Sequence, residues 1–113
     1  MVNAAMTTQE LVDYYGNRAA VANYKNAFAL MSREHFLPFD VQPAALRTRA
    51  PVCMIHSEKA LSPHWARKYY EALSTEKHIH WLEANGQVDF YDKAPLVSAT
   101  SDLLAEHLRK HLG

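Results

Sequence analysis

The stretch Pro51-Val52-Cys53-Met54-Ile55-His56-Ser57-Glu58 decides the fold that the sequence predicts. Its four consecutive apolar residues, 52–55, follow a proline, which is typical of a strand covered on both faces in a parallel sheet. Ser62 and Pro63 then mark the start of a helix, with serine as the cap and proline in the first position. Residues 78–82 form a second short strand. The order strand, helix, strand predicts a parallel βαβ unit and an α/β fold class.

Helices are predicted on both sides of this unit. Residues 95–112 carry leucines at helical spacing and form the last helix. Residues 9–15 form a first helix with Gly16 as its stop, and residues 17–35 form a second one. The apolar face of that second helix consists of Val21, Tyr24, Phe28 and Met31. The predicted organisation is a helical N-terminal segment, residues 1–49, followed by a βαβα segment, residues 50–113.

The composition excludes several classes of protein. The 113 residues are 49% apolar and carry 12 basic and 12 acidic side chains, which argues against intrinsic disorder. A formal charge of zero gives no general attraction to nucleic acid or to an anionic membrane. No apolar run reaches the roughly 18 residues of a membrane span. Cys53 is the single cysteine, so no intrachain disulfide is predicted and the cytoplasm is the expected compartment.

A sheet of two parallel strands is a poor domain by itself. Both of its edges would be open, with backbone donors and acceptors left unpaired. The sequence therefore predicts either a homo-oligomer that completes the sheet or a piece of a larger sheet.

The segment 50–113 resembles the C-terminal part of the α/β-hydrolase fold, near dienelactone-hydrolase-like bacterial members. The resemblance rests on residues 51–58, on Pro63 opening a helix, on Trp81-Leu82, and on residues 86–92, Gly-Gln-Val-Asp-Phe-Tyr-Asp. It implies a truncated α/β-hydrolase-like C-terminal half, in which the N-terminal segment corresponds to a lid. The loops after the two strands would carry the acid and the histidine of a catalytic triad.

This chain departs from the family pattern at each triad position. The sequence holds no Gly-x-Ser-x-Gly elbow for a nucleophile. The acid position corresponds to Ala60, with Glu58 as a nearby substitute, and the histidine position corresponds to Gln87. Glutamine cannot take a proton from serine near neutral pH. The resemblance thus implies a protein that is catalytically incomplete alone, whose inherited chemistry would be ester or lactone hydrolysis without a cofactor.

The alternative function is a non-enzymatic, homo-oligomeric module for small-molecule binding or for assembly. Its candidate ligand-binding residues are Gln87, Asp89 and Tyr91, because loops at the carboxyl ends of parallel strands hold ligands in open α/β sheets. A structural role competes at each position. Gln87 can serve as a turn residue that bonds to backbone, and Asp89 can clamp its own loop.

The histidines and the cysteine have simple interpretations. His78 and His80 alternate on one face of a strand, and His107 and His111 lie four apart on a helix, so either pair could chelate a metal. A third ligand for His78 and His80 would have to come from elsewhere, and His107 and His111 lie near a helix C-terminus, where partial negative charge favours imidazolium. No metal site is predicted. Cys53 lies in an apolar run, where burial makes a thiol a poor nucleophile.

Overall fold

The computed structural model describes residues 8–113, so residues 1–7 of the predicted N-terminal segment lie outside the described part. Contacts divide the chain into two compact units, one ending at Asp40 and the other running from Val41 to Gly113. The sequence predicts this boundary between residues 49 and 50. The structure mixes helices with a two-stranded parallel sheet, and this confirms the coarse α/β prediction.

The first unit is less helical than the sequence predicts. Helix α1, Gln9–Asp13, continues directly into a π-helical turn, Tyr14–Arg18, so Gly16 does not end the helix. The next helical residues are a 3-10 turn, Leu30–Ser32, and the four-residue helix α2, Arg33–Phe36.

The prediction of a continuous helix over residues 17–35 is therefore wrong. Asn23 has a positive φ of 73°, a left-handed conformation that interrupts a right-handed helix. The expected apolar face is also not buried, since Val21 is 70% exposed and Met31 is 75% exposed. Most helices in proteins depend on burying such a face, and periodicity alone does not supply it.

The second unit is the βαβ arrangement that the sequence predicts. A 3-10 helix, Gln42–Arg47, precedes strand β1, Val52–His56, and helix α3, Pro63–Ala72, leads to strand β2, Lys77–Trp81. The strands are parallel, with Val52 beside Lys77 and His56 beside Trp81. Ser62 has a left-handed backbone and no side-chain cap. Its carbonyl oxygen accepts from the N–H groups of Trp65 and Ala66 in the first turn of the helix.

The end of α3 is capped by a lysine from the next strand. Lys77 Nζ donates to the carbonyl oxygens of Tyr70 and Leu73 at 2.8 Å and to that of Glu71 at 3.2 Å. Carbonyl groups in the last turn of a helix have few partners within it, and a lysine charge stabilises the negative end of the helix dipole. Lys77 thereby fixes the position of α3 on its face of the sheet.

The opposite face of the sheet lies against the last helix. After a loop comes the short helix α4, Asp89–Asp92, and then α5, Ala94–Leu112, which contacts β1. Leu103 and His107 of α5 line one cavity with Cys53, His78 and His80. All strand residues except the exposed His78 are half-buried. Among residues 8–113, the buried apolar side chains are those of Ala45, Ala60, Leu73 and Val88.

None of the helices formed by residues 8–113 combines the length and the apolar character needed to cross a membrane.

The C-terminal end of α5 is tied to the sheet by an ion pair that should titrate. Lys110 Nζ donates to Glu76 Oε1 at 2.5 Å, and this hydrogen bond holds the pKa of the Glu76 carboxyl below its usual value of 4.5. A lowered carboxyl pKa adds stability above the unfolded-state value, and that stability disappears as the pH falls through the folded-state value.

We therefore expect Glu76→Gln to be less stable than the unsubstituted protein at pH 7 and equally stable well below pH 4.5. Urea denaturation at pH 7, at a pH well below 4.5 and at high salt measures the difference in the free energy of unfolding. Glu71→Gln is the control. The difference should also shrink with salt, because exposed ion pairs are screened. A Glu76→Gln effect that is the same at pH 7 and at low pH would contradict the assignment.

Candidate functional site

A cavity of about 280 Å³ lies at the carboxyl end of β1, and the strand residues that line it come from β1. We call it the Gln87 cavity. It is lined by Ile55, His56, Ala60, Gln87, Phe90, Thr100 and Leu104. The two positions that the resemblance equates with the triad acid and histidine, Ala60 and Gln87, thus line one cavity. Its walls are mostly apolar and carry three polar side chains, which is the usual make-up of a small-molecule site.

Gln87 uses both ends of its amide within the protein. Leu61 N–H donates to Gln87 Oε1 at 3.2 Å, and Gln87 Nε2 donates to Tyr91 Oη at 3.2 Å. The side chain therefore links the loop after β1 to helix α4. The structural role that the sequence left open is observed, and it ties the two loops that flank the cavity.

His56, the last residue of β1, is hydrogen-bonded at the strand end. Its Nδ1 lies 2.9 Å from the carbonyl oxygen of Ser57. Because a carbonyl oxygen can only accept, Nδ1 carries the hydrogen, and in the neutral ring Nε2 is the nitrogen that can accept. The ring also packs against Trp81, with centroids 5.3 Å apart.

Thr100 is a site residue that sequence reasoning missed. Its hydroxyl is buried and makes no hydrogen bond within the described residues. In the sequence, Thr100 lies four residues after Leu96 and three before Leu103, on the face of the last helix that carries leucines. A hydroxyl among apolar residues could have indicated a site residue, because buried hydroxyls in proteins nearly always have a hydrogen-bond partner.

Glu58 does not join Gln87. It lines a second, wider cleft of about 710 Å³ on the β2 side, together with Trp81, Asn85 and Asp89. Its carboxylate accepts from Arg67 Nη2, and the Arg67 guanidinium lies 4.0 Å above the Trp81 ring centre. The Glu58 carboxylate is thus bound to an arginine, and it does not orient a group in the Gln87 cavity.

Asp89 anchors its own loop. Its buried Oδ2 accepts from the Asn85 N–H and from Lys93 Nζ, each at 2.8 Å. This is the clamp that the sequence offered as the structural role of Asp89. Tyr91 is exposed and contributes the hydroxyl that accepts from Gln87. Ligand binding by Asp89 and Tyr91 stays a prediction.

The remaining candidates do not form a reactive centre. Within residues 8–113, His, Cys, Asp and Glu side chains form no group of three or more that could hold a metal ion. His78 Nε2 lies 3.5 Å from Glu76 Oε1, and the rings of His107 and His111 lie 4.6 Å apart. Burial raises the pKa of the Cys53 thiol, which lowers the thiolate fraction at neutral pH.

Comparison of the chain with protein-family models, with curated proteins and with solved structures finds no match.

Proposed function

We propose that this chain is an α/β-hydrolase-like protein that binds a small molecule in the Gln87 cavity without being catalytically complete alone. The ligand has an apolar body and a carbonyl or ether oxygen that accepts a hydrogen bond, as an aromatic ester or a lactone has. It is held by the groups that line the cavity and is not hydrolysed by this chain.

The observation that carries the proposal is the Thr100 hydroxyl. A buried hydroxyl with no partner costs about 1–3 kcal/mol, so its presence against an apolar cavity wall calls for a compensating role. A carbonyl or ether oxygen of a ligand would accept from it. The apolar walls from Ile55, Phe90 and Leu104 would bury the rest of the molecule.

The polar groups near the cavity support binding better than hydrolysis. The Gln87 amide is engaged at both ends and has no basic nitrogen. Ser57, the serine that directly follows β1, is buried, and its Oγ accepts from the Lys59 N–H at 3.3 Å. Neither group provides the nucleophile and base pair that covalent ester hydrolysis requires.

The test combines turnover and binding on the purified chain. We expect no hydrolysis of p-nitrophenyl acetate above the rate in buffer, and we expect phenyl acetate to shift the NMR signals of Ile55, Phe90 and Leu104. Shifts confined to the Glu58 cleft, or robust turnover by the chain, would contradict the proposal.

Replacing Thr100 by valine should separate the two roles of the hydroxyl. Thr100→Val keeps the shape and removes the unbonded group, so we expect a gain of about 1 kcal/mol in the free energy of unfolding. It also removes the donor to the ligand, so phenyl acetate should bind roughly 5–10-fold more weakly. Thermal unfolding and NMR titration measure both, with the exposed Ser101→Ala as control. Unchanged affinity in Thr100→Val would refute the assigned contact.

A further inference from the structure

Strand β1 has an open edge. Among the described residues, β2 is the single strand that pairs with it. Val52 N–H donates to the Glu76 carbonyl at 2.9 Å, and the His56 carbonyl accepts from Leu82 N–H at 2.8 Å. In a parallel ladder, alternate residues bond to the same neighbour, so the N–H and C=O groups of Cys53 and Ile55 point to the opposite edge.

An exposed leucine stripe on α5 lies on the same side as this edge. Leu104, Leu108 and Leu112 are four residues apart and are 39%, 51% and 81% exposed. Leu104 lines the Gln87 cavity, whose strand residues all come from β1. The neighbouring Leu103 instead lines a cavity with residues of both strands. The Leu104 side of the helix therefore faces away from β2, towards the open edge.

We infer that two copies of this chain associate through their β1 edges, in antiparallel orientation, around a two-fold axis at Met54. The result is a continuous four-stranded sheet in the order β2, β1, β1, β2. Edge strands with unpaired backbone groups favour such pairing, and a two-fold interface requires a self-complementary patch. The formal charge of zero imposes no net repulsion between copies.

The backbone selects the register. A two-fold axis at Cys53 would place Pro51 opposite Ile55, and proline has no N–H to donate. An axis at Ile55 would use the Ser57 carbonyl, which already accepts from Ala60 N–H and His56 Nδ1. An axis at Met54 pairs Cys53 with the Ile55 of the second copy and satisfies every outward group of both residues.

The helices fit the same arrangement. A two-fold axis perpendicular to the sheet puts both α5 helices on one face. Strands are about 4.8 Å apart, so a helix centred over β1 and β2 lies about 5 Å from the axis. The two α5 axes are then about 10 Å apart, which is the distance at which helices pack. The leucine stripes of the two copies meet there and bury their exposed apolar surface.

Disulfide trapping tests the interface directly. In antiparallel pairing at Met54, the two Met54 Cα atoms lie about 4.5 Å apart, within disulfide range. We expect Met54→Cys, combined with Cys53→Ala, to form a covalent dimer under mild oxidation. Ile79→Cys in the same background is the matched control. Ile79 pairs with Met54 within one chain but lies three strands, about 14 Å, from its copy.

Size measurement by light scattering provides the second arm. We expect the unsubstituted chain to be a dimer at micromolar concentration and the exposed variant Leu108→Lys to be a folded monomer. Ser101→Lys is its control on the same helix. A monomeric unsubstituted chain would overturn the inference. So would crosslinking of Ile79→Cys that matches Met54→Cys, since it would place the contact elsewhere.

Discussion

Replacing Asp89 by alanine should lower the free energy of unfolding by about 2–3 kcal/mol, the largest loss that we expect from a single polar side chain here. The Asp89 carboxylate is buried and accepts from a backbone N–H and from a lysine. Hydrogen bonds to a charged group are worth more than neutral ones, and both are lost together. The Asn85 N–H would also be left without its acceptor. Urea denaturation followed by circular dichroism measures the change.

Lys93→Ala separates the anchoring of the loop from the ion pair. The Lys93 side chain is about half exposed, and such pairs contribute roughly 0–1 kcal/mol. We therefore expect Lys93→Ala to cost clearly less than Asp89→Ala. Equal losses in the two variants would mean that the ion pair carries the whole effect, and the loop anchor would be wrong.

The βαβ part of the fold could be predicted because its signals are local. The apolar run after Pro51 gives β1, and Pro63 opens α3 in the first helical position, where its missing N–H costs nothing. Parallel pairing then follows from the length of the connection between the strands, which is too long for a hairpin.

The N-terminal helix could not be predicted from its periodicity. The spacing of Val21, Tyr24 and Phe28 suits a helix, but a helical face is stable only against a partner surface, and Val21 remains exposed. Local backbone chemistry prevails there, with Asn23 in the left-handed region that asparagine tolerates better than most residues. The spacing of apolar residues along the sequence does not show whether a partner surface for the helix exists.

Within the candidate site, the sequence identified positions and missed partners. The sequence predicts Gln87 and Asp89 as site residues because they follow a strand, and both lie in the segment after β2. One partner of Gln87 is Leu61, 26 residues earlier, and Glu58 binds Arg67 on the following helix. Such contacts depend on how the loops fold over the sheet. The pattern of strands predicts which loops border the site, but it does not predict which side chains of different loops contact each other.

The second large effect is expected at Gln87, whose amide joins two loops. Gln87→Ala removes the acceptor for Leu61 N–H and the donor to Tyr91 Oη, so we expect a loss of about 1–2 kcal/mol in the free energy of unfolding. Phenyl acetate should also bind more weakly, because both loops border the Gln87 cavity. Urea denaturation and NMR titration of the same variant measure the two losses.

Gln87→Glu is the informative control, because it changes the charge and keeps the link. A glutamate oxygen can still accept from Leu61 N–H, and the Tyr91 hydroxyl can turn to donate to the other oxygen. Stability should then stay close to that of the unsubstituted protein. Gln87→His should resemble Gln87→Ala, because the imidazole is too short to reach both partners of the Gln87 amide. If glutamate destabilises the chain as much as alanine does, the assignment of Gln87 as the link between the two loops is wrong.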